Sequence, residues 1–165
     1  GRSSMAVLAE TSGGLAEGIA RLLFYRMTGK EADRQVFKKL RLSGSFRETV
    51  LKTPGKDIRI GVVDGLKGLD KLNLLISEGN RFDLVEVMTC PGGCIHGAGL
   101  PFISSKDDIR NRAKVIYQAF ESEAIRLPCK SPSMLNLTGK LISENPETAG
   151  REMFTTHYEK RNVLL

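Results

Sequence analysis

The sequence has no tryptophan, two histidines, three cysteines and six prolines in 165 residues. Three cysteines are too few, and too oddly numbered, for a disulfide scaffold. No run approaches the ~18 consecutive apolar residues of a membrane helix, so no membrane span is expected. No basic-then-apolar leader opens the chain. The expected location is therefore the cytoplasm, a reducing compartment where close cysteine pairs bind metal or do redox work. Glycine and proline are too sparse for a fibrous protein, and 41% apolar side chains are too many for a disordered one. The formal charge is +6, yet the basic residues form no dense run and no aromatic stripe interleaves them. The footprint of a nucleic-acid binder is missing, and no nucleic-acid partner is expected. The chain begins Gly1-Arg2-Ser3-Ser4 rather than with Met, which raises the expectation of a piece of a longer polypeptide.

The length suits a single domain over residues 1–165. Leu15, Ile19, Leu22, Leu23 and Met27 recur at helical spacing, opened by Thr11-Ser12 and stopped by Gly29. A strand is expected at Phe46–Leu51. The β-branched run Ile58-Arg59-Ile60-Gly61-Val62-Val63 reads as a buried strand, and Phe82–Met88 as another. Between these two lies a helix with Leu69, Leu72, Leu75 and Ile76 on one face and Gly79 as its stop. Strand, helix, strand at this spacing is a βαβ unit with parallel pairing and a right-handed crossover. The fold class expected is thus α/β, a parallel sheet of few strands with flanking helices. Ser105 and Asp108 make a capping box for a helix carrying Ile109, Ala113, Ile116 and Phe120. Shorter helical pieces are expected near 134–142 and 149–158.

In such sheets ligands bind at the carboxyl ends of strands, and the second strand delivers the chain there to Cys90-Pro91-Gly92-Gly93-Cys94-Ile95-His96-Gly97. Two thiols three residues apart, with glycines between them, make a loop that can curl around a bulky group. Gly92, Gly93 and Gly97 allow backbone N–H groups to approach a ligand closely, which would stabilise the sulfurs of an anionic iron–sulfur cluster. Structural zinc prefers a shorter gap and four ligands; His96 offers a third donor and nothing nearby a fourth. The plainer alternative is a turn with two structural cysteines. Glu86 reads as a hydrogen-bonded structural carboxylate rather than a catalytic acid, and Cys129 as a half-buried thiol near Pro128.

The stretch 86–101 resembles the third cysteine motif of the [FeFe]-hydrogenase catalytic domain, roughly E-x-M-x-C-x-x-G-C-x-x-G-G-G-x-P. Glu86, Met88, Cys90, Gly93, Cys94, Gly97, Gly99 and Pro101 match it, and Ala98 departs from it. Ser12–Glu17 with Arg21, Ile60–Leu66 and Thr156-His157-Tyr158 resemble further segments of that domain, so the likeness spans nearly the whole chain. The resemblance implies the C-terminal part of an H-cluster domain, a [4Fe–4S] cubane bridged to a diiron subcluster, which reversibly reduces protons to dihydrogen. It implies Cys90 as a cubane ligand, Cys94 as the thiolate bridging to the diiron centre, and Met88 as a neighbour tuning that centre. Gly92, Gly93 and Gly97 would line the cofactor, and the start of the first helix would aim its positive end at the cluster region. The other two cluster cysteines would come from a preceding part of the same protein or from a partner chain, and electrons from a ferredoxin-like donor. The 165 residues alone are expected to hold no cluster and to be inactive. Pro132, where the family shows a histidine, together with His96 and Ala98, marks a divergent member. The alternative is therefore a non-catalytic iron–sulfur sensor or iron–sulfur assembly factor on the same fold.

Overall fold

A computed structural model describes residues 5–41, 44–97, 99–100, 105–144 and 158. Two short helices, α1 (Met5–Leu8) and α3 (Arg34–Phe37), flank the 15-residue helix α2 (Gly14–Thr28). Strands β1 (Phe46–Leu51) and β2 (Ile58–Asp64), helix α4 (Leu69–Ser77) and strand β3 (Leu84–Met88) follow. Helices α5 (Lys106–Ser122) and α6 (Pro132–Glu144) complete the described elements. The helix expected at 149–158 lies outside the described residues, apart from an exposed Tyr158.

The sheet has the order β1-β2-β3. β2 and β3 run parallel, with Ile60 beside Leu84 and Asp64 beside Met88, and α4 crosses between them as the βαβ pattern requires. β1 runs antiparallel to β2, with Phe46 opposite Val63 and Leu51 opposite Ile58, which makes the sheet mixed. Ile60, Val62 and Val63 of the central strand are fully buried. One face packs Leu51, Ile58, Ile60 and Val62 against Ala16, Ala20, Phe37 and Leu40. The expected capping box is present: the Asp108 amide donates to the Ser105 hydroxyl and the Ser105 amide to the Asp108 carboxylate.

Helix α2 ends at Gly29 as expected, in the left-handed region at φ 69°. Of its apolar stripe, Leu15, Leu23 and Met27 are exposed while Ile19 and Leu22 are half-buried. Its buried face is Gly14, Ala16, Glu17, Gly18, Ala20 and Arg21. The cause is close approach. A Cβ on Gly14 would sit 1.7 Å from the Leu8 carbonyl oxygen, and one on Gly18 would be 2.8 Å from Met5 Cγ. Only small residues fit under α1, and the rotation this forces carries a charged pair inward. Arg21 Nε donates to Glu17 Oε1 at 2.8 Å, and Arg41 reaches both Glu17 oxygens at 2.7 and 2.8 Å. The guanidinium of Arg21 lies 4.4 Å from the Phe37 ring centroid, and that of Arg41 lies 4.5 Å from Tyr117. Burial pushes the Arg21 guanidinium down from its usual value, with Glu17 opposing. Burial also opposes the charge on Arg41, but the hydrogen bonds and attraction of Glu17 outweigh it and raise that guanidinium.

Candidate metal centre

Strand β3 ends at Met88, whose carbonyl accepts from the Gly65 amide at 2.8 Å. The chain then turns away from the sheet through Thr89 and Cys90, and a short 3₁₀ turn spans Cys94–His96. Both Cys90 and Cys94 are free and exposed, while Cys129 is half-buried elsewhere. Met88 is half-buried at the strand end. The exposed cysteines are therefore presented by a loop whose own backbone is firmly held. Gly93 is buried at φ 82°, and a Cβ there would lie 2.7 Å from the Ser12 amide nitrogen, so a side chain would both strain the backbone and push the loop off its neighbour.

Three attachments hold that loop. Thr11 and Gly93 form an isolated antiparallel bridge, with the Ser12 amide donating to the Gly92 carbonyl at 3.0 Å and the Ile95 amide to the Glu10 carbonyl at 3.4 Å. The Gly92 amide donates to Asp64 Oδ1 at 2.6 Å. Arg112 of α5 donates to the Ile95 carbonyl at 2.9 Å. His96 turns back onto the loop, its Nδ1 3.0 Å from the Pro91 carbonyl.

The expectation that glycine amides face a ligand meets a different geometry. The amides of Gly92, Gly93, Ile95, His96 and Gly97 all donate to protein oxygens, those of Gly93 and Gly97 to the Cys90 and Cys94 carbonyls at 3.0 and 3.2 Å. The start of α2 does lie beside the loop, but its positive end is already answered. The Gly13 and Ala16 amides donate to Glu86 Oε1 and Oε2 at 2.6 and 2.7 Å, and this carboxylate is 6% exposed. Glu86 thus has the structural role its position in the strand suggests, as a cap that stitches β3 to α2. Sequence spacing gave no hint of that pairing, because the partners are 70 and 73 residues apart.

Behind the loop a cleft of about 790 Å³ opens at the carboxyl ends of β2 and β3, lined by Ser12, Arg47, Asp64, Pro91, Gly92 and Tyr117 among others. Neither cysteine lines it. Burial raises the Tyr117 phenol, a shift the hydrogen bond with Thr11 opposes. Among the described residues no three His, Cys, Asp or Glu side chains gather closely enough to hold a metal ion. No described helix is long and apolar enough to cross a membrane. Ala98, Pro101, Thr156 and His157 lie outside the described residues.

A [4Fe–4S] cubane needs about four thiolates. The two exposed thiols on a glycine-bearing loop at a parallel-strand edge fit half of that set. Residues 1–98 match the family model described as iron only hydrogenase large subunit, C-terminal domain. The chain is 27% identical over 154 residues to the NADP-reducing hydrogenase subunit HndD of Solidesulfovibrio fructosivorans, covering 93% of this chain and 26% of that protein. It is 28% identical over 164 residues to a probable cytosolic Fe-S cluster assembly factor, GK14772, of Drosophila willistoni, covering 95% of this chain and 34% of that protein. A structure of [FeFe]-hydrogenase HydA, solved in work on stepwise H-cluster assembly, superposes with a TM-score of 0.68 at 25% identity, covering 92% of this chain and 46% of that one. The chain spans about a quarter to a third of the curated relatives' length.

Proposed function

The chain belongs to the family of the iron-only hydrogenase large subunit, C-terminal domain, and from that we propose that it is one half of an iron–sulfur site in a hydrogenase. The observation that carries the reading is the pair of exposed thiols, Cys90 and Cys94, on a loop fixed at the carboxyl end of a parallel strand. In this reading residues 1–165 form one C-terminal domain of a longer protein. Cys90 and Cys94 would hold a [4Fe–4S] cubane and its diiron subcluster, Cys94 as the shared thiolate, with Met88 beside that centre. Gly92, Gly93 and Gly97 would lie beside the cofactor, and the absence of side chains at Gly92 and Gly93 lets the loop pack against Ile109 and the Ser12 amide. When bound, the group would relay electrons from the donor and supply the iron at which protons are reduced to dihydrogen.

This chain's own part is positional. The Thr11–Gly93 bridge, the Asp64 bond and Arg112 fix the loop backbone, and the exposed face leaves the thiols open to a second half of the site. The remaining ligands come from elsewhere in the same protein or from a partner chain, and electrons from a ferredoxin-like donor. The 165-residue chain by itself neither holds the cluster nor turns over hydrogen. The reducing chemistry fits the cytoplasm.

A second reading is favoured by the likeness to an Fe-S cluster assembly factor over 95% of the chain: the same loop holds an iron–sulfur cluster with no diiron centre. Anaerobic reconstitution of the longer protein with iron, sulfide and a diiron precursor separates the two. Dihydrogen from reduced methyl viologen, with carbonyl and cyanide bands in the infrared, supports the hydrogenase reading. Bound iron and sulfide without those bands or gas supports the second. Protein that retains no iron overturns both.

A further inference from the structure

Asp64 ends β2 and has no place in the cysteine motif, yet it is the side chain that reaches the cysteine loop from the central strand. Its Oδ1 accepts from the Gly92 amide at 2.6 Å, midway between Cys90 and Cys94. Its Oδ2 is 3.6 Å from Arg47 Nη2. Arg47 is itself buried on β1 and donates to the Ser12 hydroxyl at 2.6 Å and to the Leu40 carbonyl at 2.7 Å. Ser12 closes the circuit, because its amide donates to the Gly92 carbonyl at 3.0 Å. Both backbone polar groups of Gly92 are therefore gripped, its N–H by Asp64 and its carbonyl by Ser12, and Arg47 ties the two grips together. A charge-assisted bond to a backbone amide in a half-buried position is among the stronger hydrogen bonds available to a loop.

We propose that Asp64, held by Arg47, is a positioning residue that fixes the Cys90–Cys94 loop so that both thiols are presented together to one ligand. Its importance for an iron–sulfur cluster rests on the function proposed above, whereas the effect on the thiol pair does not. A loop already held in one shape captures a two-point ligand with little further ordering, and a loosened loop loses that advantage.

The test uses the 165-residue chain with Cys129→Ser, which leaves only the two loop thiols, and phenylarsine oxide, a trivalent arsenical that bridges paired thiols. Asp64→Ala is expected to weaken arsenical capture about tenfold, while alkylation of each thiol by iodoacetamide stays within about twofold, because both are exposed already. Asp64→Asn keeps an oxygen acceptor for the Gly92 amide and is expected to recover capture to within about threefold of the parent. Asp64→Ser, whose hydroxyl is too short to span to Gly92, repeats the loss where the alanine variant fails to fold. Capture by Asp64→Ala or Asp64→Ser equal to the parent overturns the proposal, and so does a loss that the asparagine variant fails to reverse. A parent that shows the Asp64 dependence in a protein that retains no iron on reconstitution overturns the iron–sulfur reading and leaves the tether standing.

Discussion

Replacing Glu86 tests whether the stitch between β3 and α2 is what the geometry says it is. Two amides at the start of α2 donate to this carboxylate at 2.6 and 2.7 Å, in a buried position. Glu86→Ala leaves both donors without the acceptor, at about 1–3 kcal/mol each, and removes a negative charge from a helix N-terminus, about 0.3–1 kcal/mol more. The expected loss is then about 2–7 kcal/mol, a large share of the stability of a domain of this size. Glu86→Gln is the finer probe. The amide oxygen still accepts one bond, but its NH₂ group now faces a backbone N–H, so about 2–4 kcal/mol is expected to go. Urea unfolding read by far-ultraviolet circular dichroism gives both values, with an unchanged slope showing that the two-state comparison holds. A glutamine variant within about 0.5 kcal/mol of the parent, the range of ordinary surface changes, would refute the cap and with it the account of how β3 is held to α2.

Glu17→Gln should cost about 3–5 kcal/mol in the same assay, because it leaves Arg21 and Arg41 facing a neutral partner in a buried pair; a loss below 1 kcal/mol would show that the cluster is solvated. Cys90→Ser and Cys94→Ser, at exposed positions, should change unfolding free energy by less than about 0.5 kcal/mol while abolishing arsenical bridging, and a large stability loss would favour the plainer reading of structural cysteines. Hydrogen bonds from Lys130 and Arg41 hold the Glu31 and Glu121 carboxyls below their usual value of 4.5. Because the folded values are the lower ones, this stabilisation is complete above the unfolded value and is lost as pH falls through the folded values. Stability should therefore decline as pH drops below about 4.5, and Glu31→Gln should flatten that decline; an unchanged slope would remove Glu31 from the account.

The elements were legible because their signals are local. The β-branched run of β2, the glycine stop of α2 and the Ser105–Asp108 box each lie within a few residues of the structure they specify. The βαβ unit followed from spacing, whereas the antiparallel direction of β1 did not, since six alternating residues suit either pairing. The facing of α2 was not legible, for a physical reason. A helix is expected to bury its leucines, but α1 approaches so closely that only Gly14 and Gly18 fit beneath it, and Glu17 and Arg21 go in with them. Helical spacing records where apolar residues lie and not how near the next element comes. At the site, the sequence picked out Cys90, Cys94 and the glycines of their loop. It left out Arg47 and Arg112, and carried Ser12 and Asp64 only within segments that resemble the family, because side chains that grip a loop from other elements carry no motif of their own.

The commitment of the loop's amides to protein oxygens has a consequence for metal uptake in the proposed function. Five consecutive or nearly consecutive peptide groups already have partners, so the loop's shape does not wait for its cargo. Uptake at these two sulfurs should thus proceed with little refolding heat and little change in heat capacity, as when a key enters a lock already cut.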